Sequence, residues 1–459
     1  MAATQLMPAA AEKASLRRQV MTLAWPAVIE NLLVMSVGIA DTAMVGRLGP
    51  AYLAGIEVAN RLVNLGLTIF AAVLIGTTAL VARSTGANDT RTANEAMRQA
   101  LVLVVLIAVP LLSLATVYAE ASVAFVMLMQ ESPDQAVIEA GTVYLRITIP
   151  FLMFALLMMT VNSCLRGAGD TRTPMVITGI SNVINIIGNY ILIYGAGPIP
   201  AMGVAGAAWS TNIARFIGAV LVFKAGYAGR GVLSIRFHDR FRFDADIIRR
   251  IVRIGVPAAV EQGLMRGAQL VYGMIVAGMD TVSIAAHAVA LTAESISFMP
   301  GSGFSLAATT LVGQNLGAGD PDRAEQSGYE SGKMATLVMS SMGVLFFLFP
   351  HFFVRLFSRD PEVIDLAAQC LRIVAVSQPA LAWVMTLAGG LRGVGDTRWV
   401  MLITLAGFWG VRVTLAYILA TTTNLGLIGA WLAMITDLFV RAALFAWRFR
   451  HGGWKEIDV

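Results

Sequence analysis

Two octapeptides that lie 226 residues apart in this chain differ at a single position. Leu165–Arg172 reads LRGAGDTR, and Leu391–Arg398 reads LRGVGDTR. A second pair of matching segments, Trp25–Glu30 and Val256–Glu261, is offset by 231 residues. Such a repeat predicts a chain built by duplication, in which each half forms one structural unit.

The composition indicates that lipid is the solvent of this chain. Of its 459 residues, 57% are hydrophobic and only 13% are charged, whereas a soluble chain carries about 25% charged residues. Long apolar runs recur along the sequence, and a helix needs roughly 20 apolar residues to cross the hydrocarbon core. Because these runs do not alternate in polarity, they predict helices and not a barrel.

We predict an all-α integral membrane protein with twelve transmembrane helices. Each half has six spans, and because this number is even both halves enter the membrane from the same side. This predicts two parallel six-helix bundles related by a pseudo-two-fold axis along the membrane normal, an arrangement typical of transporters. The predicted spans cover residues 20–46, 51–83, 95–119, 137–165, 173–195, 202–226, 247–278, 282–313, 324–357, 363–391, 398–421 and 426–449.

Positive charge predicts the orientation of these spans, because Lys and Arg concentrate on the cytoplasmic side of a membrane. They cluster before the first span, after the last span and between Lys224 and Arg253. Both termini should therefore face the cytoplasm of a multi-pass plasma (inner) membrane protein, with no cleaved signal peptide and no nucleic-acid partner. The predicted parts are an N-terminal segment 1–19, an N-terminal bundle 20–226, a basic linker 227–246, a C-terminal bundle 247–449 and a tail 450–459.

The two octapeptides fall at predicted cytoplasmic turns. Gly167 and Gly169 can end one helix with positive φ, and Asp170 or Thr171 can cap the next. Arg166, like the neighbouring Arg172, is expected to anchor at lipid phosphate groups. The Gly-x-Gly element lacks the βαβ context of a nucleotide loop.

Ionisable and amide side chains within the spans are candidates for function, because polar groups are costly in hydrocarbon. Glu30 and Asp41 lie eleven residues, about three turns, apart on one face of the first span. Three asparagines share one face of the fifth span: Asn182, Asn185 and Asn189. With Asn162 on the fourth span, they complete a predicted polar pocket for ion coupling. Burial disfavours the charged form of a carboxyl group, which suits a proton carrier.

The second half repeats this pattern only in part. Glu261 stands where Glu30 stands in the first half, and either a coupling role or a symmetric structural role fits both residues. Tyr272 replaces Asp41, so the two halves cannot couple ions identically. His287 and Glu294, seven residues apart, could form a proton relay or a buried hydrogen bond.

Other polar residues have local explanations. Glu57 with Arg61, and Asp437 with Arg441, are spaced as surface ion pairs of a helix. Arg266 and Arg412 need a carboxylate from another helix, for which Glu261 and Glu294 are candidates.

Adaptable side chains could line a substrate cavity, because promiscuous surfaces overuse methionine. The candidates are Met265, Phe298 and Met299, with Tyr272 beside them. Cys164 and Cys370 are expected to be buried free thiols, and no spacing of metal ligands occurs.

Three segments together give the chain a resemblance to the multidrug and toxic compound extrusion (MATE) family. They are Asp41–Gly49, both Leu-Arg-Gly-x-Gly-Asp repeats, and Asn185–Gly195. The resemblance covers roughly residues 15–450, and it implies a V-shaped pair of bundles around a central cleft. It also implies export of small-molecule drugs and toxic organic cations, driven by inward flow of protons or sodium ions.

The resemblance also implies roles for particular residues. Asp41 matches the proton or sodium acceptor of some family members, with Asn162 and Asn185 around it. Asn189 stands where a second carboxylate is common, and Leu381 where some relatives carry an Asp. These departures make a sodium site less well supported, so we expect H⁺ as the coupling ion, with Na⁺ as the alternative.

We therefore expect a secondary active exporter that works by alternating access, as a monomer, without a cofactor. Its rival from the same superfamily is a flippase for lipid-linked oligosaccharides, which a basic cleft formed by Arg61, Arg215, Arg266 and Arg412 would favour. A membrane enzyme is disfavoured, because the sequence holds no convergent nucleophile, acid–base set or metal motif.

Overall fold

A computed structural model describes residues 9–129, 134–227, 233–234, 242–423 and 425–457. These residues form helices and no strand, which confirms the predicted all-α class. In chain order the helices are α1 Ala9–Gly46, α2 Pro50–Gly86, α3 Thr90–Val117, α4 Ala119–Met129, α5 Gln135–Gly167, α6 Arg172–Tyr194, α7 Gly203–Tyr227, α8 Ala245–Ala277, α9 Thr281–Gly317, α10 Pro321–Leu348, α11 Pro350–Arg355, α12 Pro361–Gly393, α13 Thr397–Leu405, α14 Thr414–Tyr417 and α15 Gly426–His451.

The long helices occupy the twelve predicted positions. Within the described residues, eleven helical segments are long and apolar enough to cross a membrane. The remaining position, the predicted seventh span, is filled by α8, which has 33 residues. Its first turns carry Asp246, Arg249 and Arg250.

Four predicted spans differ from the observed helices. The first helix begins at Ala9, eleven residues before the predicted start and within the predicted N-terminal segment. The predicted span 324–357 is divided after Leu348, because Pro350 disfavours helical backbone at Phe349, whose φ is −123°. The third span begins earlier than predicted, since Asp89 caps α3 by accepting a hydrogen bond of 3.0 Å from the Thr92 amide, and the separate helix α4 follows it. The eleventh contains two π-helical stretches, at Ala406–Val413 and Ile418–Thr422.

The helices divide into two compact units. The N-terminal unit is Ile29–Val81 with Asp89–Gly255, and the C-terminal unit is Met1–Val28, Ala82–Asn88 and Val256–Val459. Helix α1 therefore passes from one unit to the other close to Pro26, and α8 does so close to Pro257. These two prolines are equivalent in the sequence repeat. Residues 228–232 and 235–241 of the predicted linker lie outside the described residues.

Small residues bring α2 close to α5 in the N-terminal unit. A Cβ atom on Gly55 would lie 2.7 Å from the carbonyl oxygen of Val137, and one on Gly141 would lie 2.9 Å from the carbonyl oxygen of Gly55. Glycine is thus required on both helices for this approach, as is common between membrane helices. The contact fixes the position of α2, whose next turns carry polar side chains.

The repeated octapeptides form turns that match the prediction in part. Gly167 does not adopt the predicted positive φ, because it is the last helical residue of α5. Gly169 and Gly395 adopt φ values of +92° and +91°, and Asp170 accepts hydrogen bonds from the backbone amides of Arg172 and Thr173, at 3.1 and 2.9 Å. The expectation that Arg166 anchors at lipid phosphate is wrong, because this guanidinium forms an ion pair with Glu30.

Each half of the chain holds an equivalent set of a glutamate, an arginine and a threonine. In the N-terminal unit, Arg166 donates to Glu30 at 2.5 Å and Thr178 donates at 3.2 Å. In the C-terminal unit the same contacts recur at Glu261, with Arg392 at 2.5 Å and Thr404 at 3.1 Å. Both glutamates are buried. The octapeptide arginine is therefore conserved between the halves of this chain because it neutralises a buried carboxylate.

A buried ion cluster joins α15 to the first π-helical stretch in the C-terminal unit. Asp437, whose side chain is 0% exposed, accepts from Arg441 at 2.7 Å and from Arg412 at 2.9 Å. Both guanidinium groups also lie over the Phe408 ring, 4.3 and 4.4 Å from its centroid. A side chain at Gly407 would collide with Asp437 and Arg441, so this glycine permits the close approach.

This cluster corrects two sequence-based predictions. Asp437 and Arg441 are not a surface pair, because periodicity gives spacing on a helix but not which face is covered by a neighbouring helix. The carboxylate that neutralises Arg412 is Asp437 and not Glu261 or Glu294, while Arg266 is exposed. By contrast, Glu57 and Arg61 are 3.8 Å apart and both side chains are more than half exposed, so the predicted pair is present, although both residues also border the cavity described below.

The tail after α15 folds back onto the C-terminal unit. Trp454 is fully buried, stacks on Phe449 with ring centroids 4.8 Å apart, and donates its indole N–H to the Phe449 carbonyl at 2.8 Å. Lys455 lies 2.5 Å from Glu325, a hydrogen bond that raises the pKa of the lysine. Arg83 at the end of α2 donates to the carbonyl of Ile457 at 2.5 Å.

Replacing Arg392 alone should strand the Glu261 carboxylate in a buried site. We expect Arg392→Met to lower the free energy of unfolding by about 3 kcal/mol. Adding Glu261→Leu should recover part of this loss, since no unpaired charge then remains. Thermal unfolding in detergent measures both changes. Arg146→Met is the matched control, because Arg146 and its partner Glu120 are both exposed and should matter little. Strictly additive losses in the double variant would contradict the pairing.

Removing the Trp454 side chain should open a cavity beneath the tail. We expect Trp454→Ala to cost about 3–5 kcal/mol and to lower the thermal midpoint by several degrees. Trp25→Ala, at a tryptophan that is 56% exposed, should change the midpoint much less. Equal midpoints for Trp454→Ala and the unaltered protein would show that the tail is not docked.

Candidate functional site

The N-terminal unit contains a polar cavity of about 260 Å³, with Asp41 in its wall. Helices α1, α2, α5, α6 and α7 all contribute to it. The lining residues include carboxylate, guanidinium, amide and hydroxyl groups beside apolar side chains: Gly38, Asp41, Thr42, Val45, Leu53, Ile56, Glu57, Asn60, Arg61, Asn64, Tyr144, Asn189, Ala207 and Thr211.

Asp41 is held by an amide and not by a cation. The side-chain amide of Asn189 donates to a carboxylate oxygen of Asp41 and lies 3.3 Å from the Asn185 side-chain oxygen. Asn185 in turn donates to the hydroxyl of Thr211 at 3.3 Å. The structure thus brings together Asp41, Asn185 and Asn189, and it adds Thr211 from α7. No lysine or arginine of the described residues lies within ion-pair distance of Asp41.

Four charged or hydroxyl-bearing neighbours of Asp41 were not predicted at this site. Glu57, Arg61 and Tyr144 line the same cavity, and Arg215 is within electrostatic reach of Asp41. The signal for Arg215 was available in the sequence, because it is a lone charge in an apolar span. For Glu57 and Arg61, helix spacing revealed the pair but not the cavity that it borders.

The other predicted amides of the N-terminal unit do not line this cavity. Asn162 is buried, and in the described part of the chain its side-chain oxygen has no hydrogen-bond partner. The side-chain nitrogen of Asn182 likewise has none. A role for Asn162 in ion coupling therefore stays a prediction.

Glu30 and Glu261 differ from Asp41 in their partners. Each forms an ion pair of 2.5 Å with an octapeptide arginine. An arginine at this distance stabilises the charged form of a carboxylate, so these contacts favour the symmetric structural role over ion coupling.

The C-terminal unit holds a second group of polar side chains. The His287 ring lies 5.6 Å from the Tyr272 ring and 5.8 Å from the Trp431 ring. His287 Nδ1, the Tyr272 hydroxyl and Trp431 Nε1 are buried and find no hydrogen-bond partner among the described residues. Glu294 is partly buried and lies within electrostatic reach of Arg412. The described residues show no hydrogen bond between His287 and Glu294, so the relay stays a prediction.

The predicted cavity residues of the C-terminal half lie outside the cavity of the N-terminal unit. Phe298 is 49% exposed, and Met265 and Met299 are partly exposed.

Comparison with known sequences gives matches over almost the whole chain. The MatE family model matches residues 26–191 and 257–418. A probable multidrug resistance protein NorM from Thermotoga maritima is 31% identical over 454 residues, covering 98% of this chain and 95% of the relative. The multidrug resistance protein NorM of Burkholderia vietnamiensis is 30% identical over 434 residues, covering 93% and 92%.

Solved structures share the fold. A MATE protein in the bent conformation superimposes with a TM-score of 0.87 at 22% identity, covering 97% of this chain and 98% of that one. An outward-facing multidrug resistance MATE family transporter of the MOP superfamily gives a TM-score of 0.87 at 21% identity, covering 96% and 97%. The fold and the repeated sequence motifs agree with the family match, and the chain therefore belongs to the MatE family of multi-pass membrane transporters.

Proposed function

We propose that this protein is a secondary active exporter of amphipathic, often cationic compounds, and that protons entering through Asp41 drive the export. The observation that carries the proposal is the placement of Asp41. It lies in the wall of a polar cavity, partly shielded from solvent, with an amide and no cation as its direct partner. The NorM relatives are named multidrug resistance proteins, which supports drugs as substrates.

The surroundings of Asp41 favour a proton over a sodium ion. The second carboxylate of the cavity, Glu57, is engaged by Arg61, so it does not add a negative charge to a metal site. The charge of Arg215 also acts on Asp41 and would repel a sodium ion held there. A proton avoids this repulsion because it removes the charge of the carboxylate on binding.

The course of α1 offers a way to link Asp41 to a change of access. Pro26 lies inside this helix, where it removes one backbone hydrogen bond and permits a bend. The helix belongs to the C-terminal unit up to Val28 and to the N-terminal unit from Ile29. Protonation of Asp41 would change the conformation of α1 after Val28, the part of the helix that contains Asp41. Export follows if proton and substrate prefer opposite states.

The charge distribution supports the membrane orientation. We place both termini and the linker in the cytoplasm, because basic residues cluster in these segments. Lys455, Arg448 and Arg450 mark the C-terminal side. The cytoplasmic membrane is the expected location.

The arginines offered for the flippase alternative are divided between the units. Arg61 and Arg215 belong to the N-terminal unit, and Arg266 and Arg412 to the C-terminal unit. Arg61 and Arg412 are paired with carboxylates. The geometry within the units therefore gives no specific support to pyrophosphate binding.

Ethidium efflux from proteoliposomes tests the proposal. The unaltered protein should export ethidium under an inward proton gradient, and much less under a sodium gradient. Asp41→Asn should reduce proton-driven efflux at least roughly tenfold, since it keeps the shape of the side chain but cannot exchange a proton. Asp365→Asn is the matched control, because Asp365 is exposed at the start of α12.

Each alternative gives a different result. Efflux driven by sodium alone would overturn proton coupling, and full efflux in Asp41→Asn would move the coupling group to Glu294 or His287. If the unaltered protein exports nothing under either gradient while it translocates lipid-linked sugars, the flippase alternative would replace the exporter.

A further inference from the structure

The first turns of α8 present two arginines on one exposed face of the helix. Arg249 and Arg253 are four residues apart, so their side chains lie one turn apart on the same side, and both are exposed. The opposite face of this segment is buried, and it consists of Ile247, Ile251 and Ile254. The segment therefore packs through its isoleucines and presents the two arginines away from the N-terminal unit.

Glycines hold the buried face of α8 against α2. A Cβ atom on Gly255 would lie 1.9 Å from the carbonyl oxygen of Ala72, and one on Gly76 would lie 2.2 Å from the carbonyl oxygen of Ile251. The two backbones are thus in direct contact, as is common where small residues meet in a membrane. Such a contact leaves α8 no freedom to rotate about its axis, so the packing fixes the exposure of the two arginines.

The acidic groups next to this pair have other partners. Asp246 forms an ion pair of 2.9 Å with Arg250, and Asp244 accepts hydrogen bonds from two backbone amides of the first turn, at 3.0 and 3.2 Å. No carboxylate of the described residues lies within ion-pair distance of Arg249 or Arg253. Like charges one turn apart on a helix repel each other, so an anion bound by both arginines would stabilise this face.

The first half of the chain does not repeat the pair. At the offset of 231 residues, Arg18 on α1 corresponds to Arg249, whereas Thr22 corresponds to Arg253. The Thr22 hydroxyl donates to the carbonyl of Arg18 at 2.8 Å. The second arginine is therefore a feature of α8 alone and not a consequence of the duplication.

Apolar side chains continue the same face of α8. Val252, Val256 and Val260 follow each other at intervals of four residues, and they are 41%, 48% and 45% exposed. In the proposed membrane orientation, the arginines lie at the cytoplasmic surface, where basic side chains attract anionic lipids. The valines then lie at the depth of the acyl chains. A phospholipid with a net negative charge matches both parts of this face.

We propose that Arg249 and Arg253 bind the phosphate group of an anionic phospholipid of the cytoplasmic leaflet, with its acyl chains along the valines. This inference rests on the proposed membrane orientation. A guanidinium group can donate two parallel hydrogen bonds to a phosphate, and the two groups are only about 6 Å apart along the helix axis, so both can reach one headgroup. Phosphatidylglycerol fits the site, whereas the ammonium group of phosphatidylcholine cancels the charge that the arginines attract.

Native mass spectrometry of the purified protein in detergent tests the site, with phosphatidylglycerol and phosphatidylcholine of identical acyl chains added in equal amounts. The unaltered protein should bind phosphatidylglycerol several-fold more tightly. Arg249→Gln or Arg253→Gln should weaken this binding roughly fivefold, and the double variant at least roughly tenfold, the order expected for losing one or two cations near a lipid headgroup. Phosphatidylcholine binding should change little.

Two controls separate a specific lipid site from weaker explanations. Arg18→Gln removes an exposed arginine at the equivalent position of α1 and should leave phosphatidylglycerol binding unchanged. An equal loss in Arg18→Gln and Arg253→Gln would show attraction to the basic surface as a whole and would overturn the site. Glycerol 3-phosphate carries the phosphate group without acyl chains, and it should not displace the lipid at equal concentration. Displacement would show that the site takes a soluble phosphate and not a lipid.

Failure of this inference is distinguishable from failure of the proposed exporter, because lipid binding in detergent requires no transport. Unchanged phosphatidylglycerol binding in the double variant would overturn the site, whatever ethidium efflux shows. Should the double variant fail to fold, the two single variants decide, since each removes the charge of one exposed side chain. Loss of binding in both, with phosphatidylcholine binding retained, would support the site even if the protein exports nothing.

Discussion

The cost of a charge away from water is the constraint on which this structure depends. Five buried carboxylates among the described residues are met by guanidinium groups at hydrogen-bond distance: Glu30 by Arg166, Glu261 by Arg392, Glu330 by Arg17, Asp396 by Arg448, and Asp437 by both Arg412 and Arg441. These contacts tie helices together within each unit. Neutralised charges of this kind have a structural role, because neither partner can change its protonation state without stranding the other.

Asp41 and Glu294 depart from this rule. Both are partly buried, and neither has an arginine or lysine within ion-pair distance in the described part of the chain. Asp41 has Arg215 within electrostatic reach, and Glu294 has Arg412. The difference lies in the surroundings, because Arg412 is already engaged by Asp437, whereas no described carboxylate forms an ion pair with Arg215. A carboxylate without a close cationic partner can gain a proton without stranding an ion-paired arginine.

The sequence predicted the helices well, because apolar runs of sufficient length have one solution in lipid. It also identified Glu30 and Glu261 as equivalent, since matching segments in the two halves show the offset of the repeat. It did not reveal that Arg166 and Arg392 are their partners. Contacts between residues more than a hundred positions apart leave no periodic signal, and an arginine at a turn is equally compatible with lipid phosphate.

Burial of polar residues was the least predictable feature. The spacing of Asp437 and Arg441 fits a surface pair, and only the approach of the π-helical stretch at Gly407 and Phe408 covers them. Likewise, the spacing of Asn185 and Asn189 places them on one face of α6. Their contacts with Asp41 and Thr211 depend on the packing of α6 between α1 and α7, which the spacing does not reveal. The division of α10 from α11 was local and could have been predicted from Pro350.

The central claim is that Asp41 exchanges a proton for the substrate. Proton release on addition of tetraphenylphosphonium to the protein in weakly buffered detergent solution near pH 7 measures this exchange directly. The account predicts release by the unaltered protein and by Glu294→Gln, and none by Asp41→Asn, with cation binding followed independently. Release that persists in Asp41→Asn, or that disappears in Glu294→Gln, would contradict it.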